Sequence, residues 1–273
     1  MGAPAVILGV ALGLSITMAA AFVVAVRSGR SGWIDAIWSF AVGIFGAIAA
    51  LLASDGEISS RQWLVAGLAI AWSARLGLHI AARTARGGKD DPRYVELKRE
   101  WGSAFRSRLF WFLQIQAAAA FLLVLSVMAA AHRPAPAFGP GDFIGIALLG
   151  VAVLGEALAD RQLTAFRSDH SNAGKVCDTG LWGLSRHPNY FFEWLGWFAY
   201  AVIAIDFSGD YPWGWVALVG PMLMYWLLVH ASGIPPLEAH MLRSRGETFR
   251  RYQARVNAFW PGRPKPAVLA EGS

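Results

Sequence analysis

Long apolar runs alternate with short polar loops along almost the whole chain. The runs cover about residues 5–26, 33–53, 63–82, 109–131, 143–160, 190–206 and 213–232. Each is close to the ~20 apolar residues a helix needs to cross a bilayer. Hydrocarbon offers no partner to a bare backbone N–H or C=O, so such runs form helices. The pattern predicts an all-α fold, a polytopic membrane helical bundle of about seven transmembrane helices. Residues 1–261 are expected to form a single integral-membrane domain. The Pro-, Ala- and Gly-rich tail, 262–273, is expected to be disordered.

The charges between the runs set an orientation. Arg27 and Arg30 follow the first run, and no basic segment precedes it. That is the pattern of a retained anchor with its N-terminus outside, not of a cleaved signal peptide. Loop 83–108 carries Arg83, Arg86, Lys89, Arg93, Lys98, Arg99, Arg106 and Arg108, whereas loop 132–142 has only Arg133. Loop 54–62 sets Asp55 and Glu57 against Arg61, and loop 207–212 has Asp210 and no base. Segment 161–189 and the C-terminal stretch are basic again. Bases alternate with the loops as the positive-inside rule requires, which puts the C-terminus in the cytoplasm. Residues 236–256 read as a basic amphipathic segment lying against the inner membrane face.

Composition agrees. Hydrophobic residues make up 56% of the 273 and charged residues only 15%, against about a quarter in soluble domains. The net charge of +6 follows from the cytoplasmic loops, so it does not call for a nucleic-acid partner. Cys177 is the only cysteine, so no intrachain disulfide is available, and it reads as an ordinary loop residue. Gly43 and Gly46 are spaced for close helix packing.

The candidate chemistry gathers around residues 178–197. Pro188 suits the first position of a helix, which makes His187 the N-cap. Asn189 and Glu193 are four apart and share a helical face. A carboxylate at membrane depth is expensive unless it meets a partner, a cavity or a ligand. A helix N-terminus also attracts anions, and Arg186 and His187 stand beside this one. At the same expected depth lie Arg75 and His79 on the third run. Glu156, Asp160 and Arg167 join them on the fifth if its helix continues, and Glu238 follows Pro235-Pro236. The plain alternative is a polar network that glues helices together. Several ionisable groups at one depth nevertheless point to a cavity or pathway. No histidine or cysteine spacing suits a metal, so no metal is expected. No Gly-x-Ser-x-Gly elbow is present for a hydrolase.

Some of these stretches belong to a known pattern. Asp160 with Arg167, the run Gly174-Lys-Val-Cys-Asp-Thr-Gly-Leu-Trp182 and the run Ser185-Arg-His-Pro-Asn-Tyr-Phe-Phe-Glu193 resemble the C-terminal domain of the steroid 5α-reductase family. Its bacterial DUF1295 branch is the most similar. That branch also shows Asp35-x-x-Trp38, Arg75-Leu-Gly-Leu-His79, Asp91-Pro-Arg-Tyr94 and Ser232-Gly-Ile-Pro-x-Leu-Glu238, then Tyr252 and Phe259. The likeness runs from about residue 33 to 261. It implies an NADPH-dependent oxidoreductase of the bacterial inner membrane, with its cofactor site facing the cytoplasm. Such an enzyme would reduce a carbon–carbon double bond in an apolar lipid that is steroid-, isoprenoid- or acyl-like.

Carried over by position, Asp160, Arg167, Asn189 and Glu193 match cofactor contacts. Arg75, Lys175, Arg186, His187, Glu238 and Tyr252 are further cofactor candidates. Asp35 and Tyr190 are candidate catalytic groups, Asp35 as a buried, protonated donor. Its plainer reading is a partner for Arg75 or a helix cap. The steroid reductases carry a Gln-Glu pair on the second span and a Tyr on the third. Here Asp35 and Trp72 stand instead, and Phe192 replaces a Gly, which argues against a steroid as substrate. Two alternatives stay open. One is an S-adenosylmethionine-dependent lipid methyltransferase, whose isoprenylcysteine-modifying group shares Arg-His-Pro-x-Tyr. The other is a non-enzymatic lipid-binding or transport protein.

Overall fold

A computed structural model of the chain describes residues 3–52, 56–87, 90–134 and 137–266. Asp55, Lys89 and the tail from residue 267 onward lie outside the described residues. Helices dominate throughout, and no strand occurs among the described residues. In order they are α1 (Ala3–Ser28), α2 (Gly32–Leu52), α3 (Ser60–Ala85), α4 (Pro92–Trp101), α5 (Phe105–Ala131), α6 (Pro140–Ser168), α7 (Pro188–Ala204), α8 (Val219–Trp226), α9 (Ile234–Arg245) and α10 (Glu247–Arg255). Short 3₁₀ turns join several of them.

Among the described residues, six helical stretches are long and apolar enough to cross a membrane: Pro4–Ser28, Gly32–Leu52, Ser60–Ala85, Arg93–Ala131, Pro140–Ser168 and Pro212–Arg245. The remaining expected run, 190–206, is α7, which is helical but only 17 residues long. At 1.5 Å per residue it rises roughly 25 Å, short of the ~30 Å hydrocarbon core. The last stretch is not one regular helix. It opens as a 3₁₀ turn over Pro212–Leu218 and closes α8 with a π turn over Leu227–Ala231.

The chain divides into two compact units. The first takes residues up to Leu149 together with Trp197–Leu223, and the second takes Gly150–Gly196 and everything from Met224. In the first unit α1 buries Val6, Val10, Leu14, Met18, Ala21 and Ala25. These recur every three or four residues, so they form one stripe. Leu8, Leu12 and Ile16 lie between them and are exposed. An apolar face turned outward suits a lipid environment.

Close packing in this unit depends on small residues. A Cβ at Gly43 of α2 would collide with Ser73 of α3, and one at Gly77 would strike the Phe40 ring. Gly46 has room for one. α3 begins on a capping box: Ser59 Oγ accepts the Gln62 N–H at 3.2 Å, and Gln62 Oε1 accepts the Ser59 N–H at 2.9 Å. Two otherwise orphaned N–H groups are thereby satisfied.

In the second unit α6 does continue, carrying Glu156, Asp160 and Arg167 on one uninterrupted helix. The expected amphipathic segment 236–256 is two helices, broken at Gly246, whose φ is +49°. Phe249 and Tyr252 of α10, with Val256 just after it, are buried against Val176, Met241 and Leu242. That apolar face is consumed by the protein's own core, so α10 does not present it to a membrane.

Candidate functional site

The start of α7 is where the local sequence acts first. Pro188 is its first residue, and the His187 carbonyl accepts the Phe191 N–H at 3.1 Å. That carbonyl thus closes the first turn as an N-cap's does. Ser185 Oγ accepts the His187 N–H at 3.1 Å and donates to the Phe259 carbonyl at 2.9 Å. Ser185 is therefore a brace for the turn.

Around this turn, candidate residues from distant elements meet. Arg186 reaches Glu238 of α9 with two nitrogens, at 2.7 and 3.1 Å. It also donates to the carbonyls of Gln253 and Val256. Glu238 accepts from His187 Nε2 at 2.9 Å and from Gln253 Nε2 at 2.6 Å. Charge-assisted bonds in such a set are short and directional. The Tyr252 hydroxyl donates to the Trp182 carbonyl, and burial pushes its phenol up, which keeps it a donor. Burial also pushes the His187 imidazole down, more than its bond to Glu238 raises it, so the ring stays neutral. Arg186, His187, Glu238 and Tyr252 therefore form a latch that fixes α9 and α10 to the head of α7. Gln253 is the member that the sequence pattern did not mark.

Beside the latch, Asn189 of α7 and Asp160 of α6 approach to 3.5 Å. Glu193, one turn further along α7, is 6% exposed, and Glu156, one turn before Asp160, is 5% exposed. These residues share the second unit with Arg167 and Lys175, which are both exposed. Tyr190 stacks on His187, with ring centres 5.4 Å apart and planes within 9°. The arrangement joins acceptors, an amide and exposed cations. Carboxylates and an amide can take hydroxyl and carboxamide donors, and the cations can take phosphates.

Asp35 and Arg75 belong to the first unit. The cation on Asp35 is Arg93, not Arg75. The Tyr94 hydroxyl donates to the same carboxylate at 3.2 Å and receives a bond from Gln116 at 3.4 Å. Asp91 caps α4 by accepting the Arg93 N–H at 3.0 Å and its guanidinium at 2.9 Å. Burial pushes the Asp91 carboxyl up, but Arg93 outweighs it and holds the group below the usual range. Asp35 thus sits as an ion-paired acceptor. Arg93 and Tyr94 had one sequence signal: Asp91-Pro92 is a helix start, which places both on the first turn of α4. Among the described residues, no group of three or more His, Cys, Asp or Glu is placed to hold a metal ion.

The chain belongs to the family described as "Protein of unknown function (DUF1295)", whose profile matches residues 21–256. It is similar to an uncharacterized protein, C594.04c, of Schizosaccharomyces pombe. The two are 24% identical over 269 residues, which cover 87% of this chain and 74% of the yeast protein. No solved structure matches the chain.

Proposed function

We propose that the protein is an NADPH-dependent membrane oxidoreductase that reduces a carbon–carbon double bond in an apolar lipid. The observation that carries this reading is the meeting of Asn189 with Asp160 at 3.5 Å beside buried Glu193. The donor set fits the cofactor. Asp160 and Glu193 would accept ribose hydroxyl and carboxamide N–H groups. Arg167 and Lys175 would pair with phosphates, and the latch of Arg186, His187, Glu238 and Tyr252 would hold the head of α7 in place. NADPH, when bound, supplies a hydride. Charge developing on the substrate must be met by a proton or a polarising group. Tyr190, stacked on His187, is the proposed donor; Asp35, already the acceptor for Arg93 and Tyr94, is not. The site would face the cytoplasm of a bacterial inner membrane, and the lipid would arrive from the bilayer.

The test is nucleotide binding to the purified, detergent-solubilised protein. Glu193→Gln and Arg167→Ala should each weaken NADPH binding well over tenfold, about 1.4 kcal/mol or more, while the protein stays folded. Normal NADPH binding by both variants would show the site to be misassigned. Binding of S-adenosylmethionine in place of NADPH would favour the methyltransferase. Labelled hydride should appear at carbon in the lipid product, and Tyr190→Phe should lower turnover far more than cofactor affinity. Orientation is tested separately. Cys177 is buried, so background labelling is low. Glu57→Cys should react with an external thiol reagent in intact cells and Lys98→Cys should not.

A further inference from the structure

One feature of the second unit takes no part in the latch or in the Asn189–Asp160 pair. It is a groove of about 430 Å³ lined by Leu184, Pro188, Phe191, Phe192, Trp194 and Trp260 with two neighbours. That volume lies within the range of ligand sites, roughly 300–1,000 Å³. Its lining is almost wholly apolar, so a polar occupant would lose water and gain no bonds.

The walls are fixed before any ligand arrives. Trp194 meets Trp260 edge-on with centres 5.0 Å apart, and Phe191 meets Trp260 at 6.1 Å. The Gly262 N–H donates to the Leu184 carbonyl at 2.9 Å, and the Arg186 N–H to the Asn257 carbonyl at 2.9 Å. These two bonds tie the segment after α10 along the head of α7, so the groove stays open.

Charge marks one end of the groove. Arg263 and Lys265 lie two and four residues after Pro261, and both are exposed. The Lys265 N–H is held by the Arg255 carbonyl at 2.8 Å, so this basic stretch runs beside α10. Leu184 and Trp260 stay 38% and 51% exposed, which leaves the groove accessible from outside. The wall helix also carries Asn189 and Glu193, so an occupant would extend along the element that bears the proposed cofactor groups.

We infer that the groove is a binding site for the hydrocarbon chain of an anionic membrane lipid whose headgroup meets Arg263 and Lys265. A chain supplies the apolar surface that the lining requires, and a phosphate supplies the charge that the basic stretch would neutralise. A lipid of the bilayer can deliver both without leaving the membrane.

The test uses full-length protein in vesicles of phosphatidylcholine that contain a minor fraction of phosphatidylglycerol with a photoreactive diazirine on one acyl chain. The expected result is label on the peptides carrying Phe191 to Trp194 and Trp260. Labelling should fall severalfold in Leu184→Trp, which fills the groove, and in Arg263→Ala/Lys265→Ala, which removes the charge. A diazirine phosphatidylcholine probe should label the groove severalfold less. Trp260→Ala, which opens one wall, serves as a second variant if Leu184→Trp does not fold. Equal labelling by the two lipids, or labelling unchanged in folded groove variants, overturns the inference. NADPH binding is measured on the same samples. NADPH binding without groove labelling sinks the groove alone, and groove labelling without NADPH binding sinks the reductase.

Discussion

Two buried carboxylates in this protein are saturated with donors, yet they differ in kind. Asp142, in the first unit, is fully buried and takes Arg61 Nε at 2.8 Å, Arg61 Nη2 at 3.0 Å, Arg133 at 2.9 Å and the Gly139 N–H at 2.8 Å. Arg61 also donates to the carbonyls of Arg133 and Ala137. Its side chain is 2% exposed. Everything around Asp142 is permanently charged or backbone. Glu238, in the second unit, is tied to a guanidinium, an amide and an imidazole. The first cluster locks the loop between α5 and α6 to the head of α3. The second holds α9 and α10 to the head of α7, next to Asn189. A saturated carboxylate is therefore not by itself a mark of function. What separates the two is the chemistry alongside: a closed loop for Asp142, and for Glu238 a stacked tyrosine, a titratable ring and the Asn189–Asp160 pair.

The comparison can be broken most directly by removing each carboxylate's charge. Asp142→Asn leaves Arg61 buried without its counter-charge, which costs roughly 3–5 kcal/mol. Glu238→Gln should cost less, about 1.5–3 kcal/mol, because Glu238 and Arg186 keep 12% and 11% side-chain exposure. Thermal unfolding in detergent, followed by tryptophan fluorescence, measures both. Equal losses would erase the distinction. Folded Asp142→Asn should bind NADPH as the parent does.

A smaller and sharper contrast is pH. The folded state resists protonation of His187, whereas the unfolded chain takes up that proton near the ordinary pKa of about 6.5. The stability that comes from keeping the ring neutral is present above that pH and is lost as pH falls through the lower folded value. The unfolding midpoint should therefore drop from pH 7.5 to 5.5, and drop less in His187→Gln, which keeps a donor for Glu238. Parallel pH curves for parent and variant would show that His187 does not contribute to acid sensitivity.

The smallest effect belongs to the exposed charges of α10. Arg251 lies 3.6 Å from Glu247 with 78% of its side chain exposed, and such pairs contribute little. Arg251→Ala should leave the unfolding midpoint where it is. A clear loss would mean that surface pairs of this unit act together with the Glu238 cluster.

Much of the fold is legible in single stretches. Ser59 with Gln62 announces the start of α3, Asp91-Pro92 that of α4, and Pro188 that of α7. The stripe of α1 and the run of α6 through Arg167 follow from helical periodicity alone. Gly43 is a packing position that admits no Cβ, whereas Gly46 is buried against Val127 and Ala69 at a spacing that would admit one. The amphipathic pattern of 236–256 is real, yet an apolar face says only that something covers it. Here Val176, far back in the chain, is part of the cover.

The candidate site was legible as residue types but not as partners. On sequence grounds Asp35 reads as a partner for Arg75 or a helix cap, and the fold pairs it instead with Arg93, 58 positions away. Arg61 reads as one base in an outer loop. The fold buries it on Asp142, 81 positions on. Arg186 and His187 read as free anion-binding groups at a helix start, and the fold spends them on Glu238. Sequence by itself determined what depends on neighbours within a turn or two: helix starts, apolar stripes, and the membrane class of the chain. Capping and 3.6-residue periodicity are local, so few residues suffice to specify them. Only the tertiary structure decided which charge meets which, because that choice is made by burial. Once a carboxylate leaves water it must take whatever donors the packing brings within about 3 Å, and in this protein the guanidinium partners of Asp35, Asp142 and Glu238 come from 58, 81 and 52 residues away.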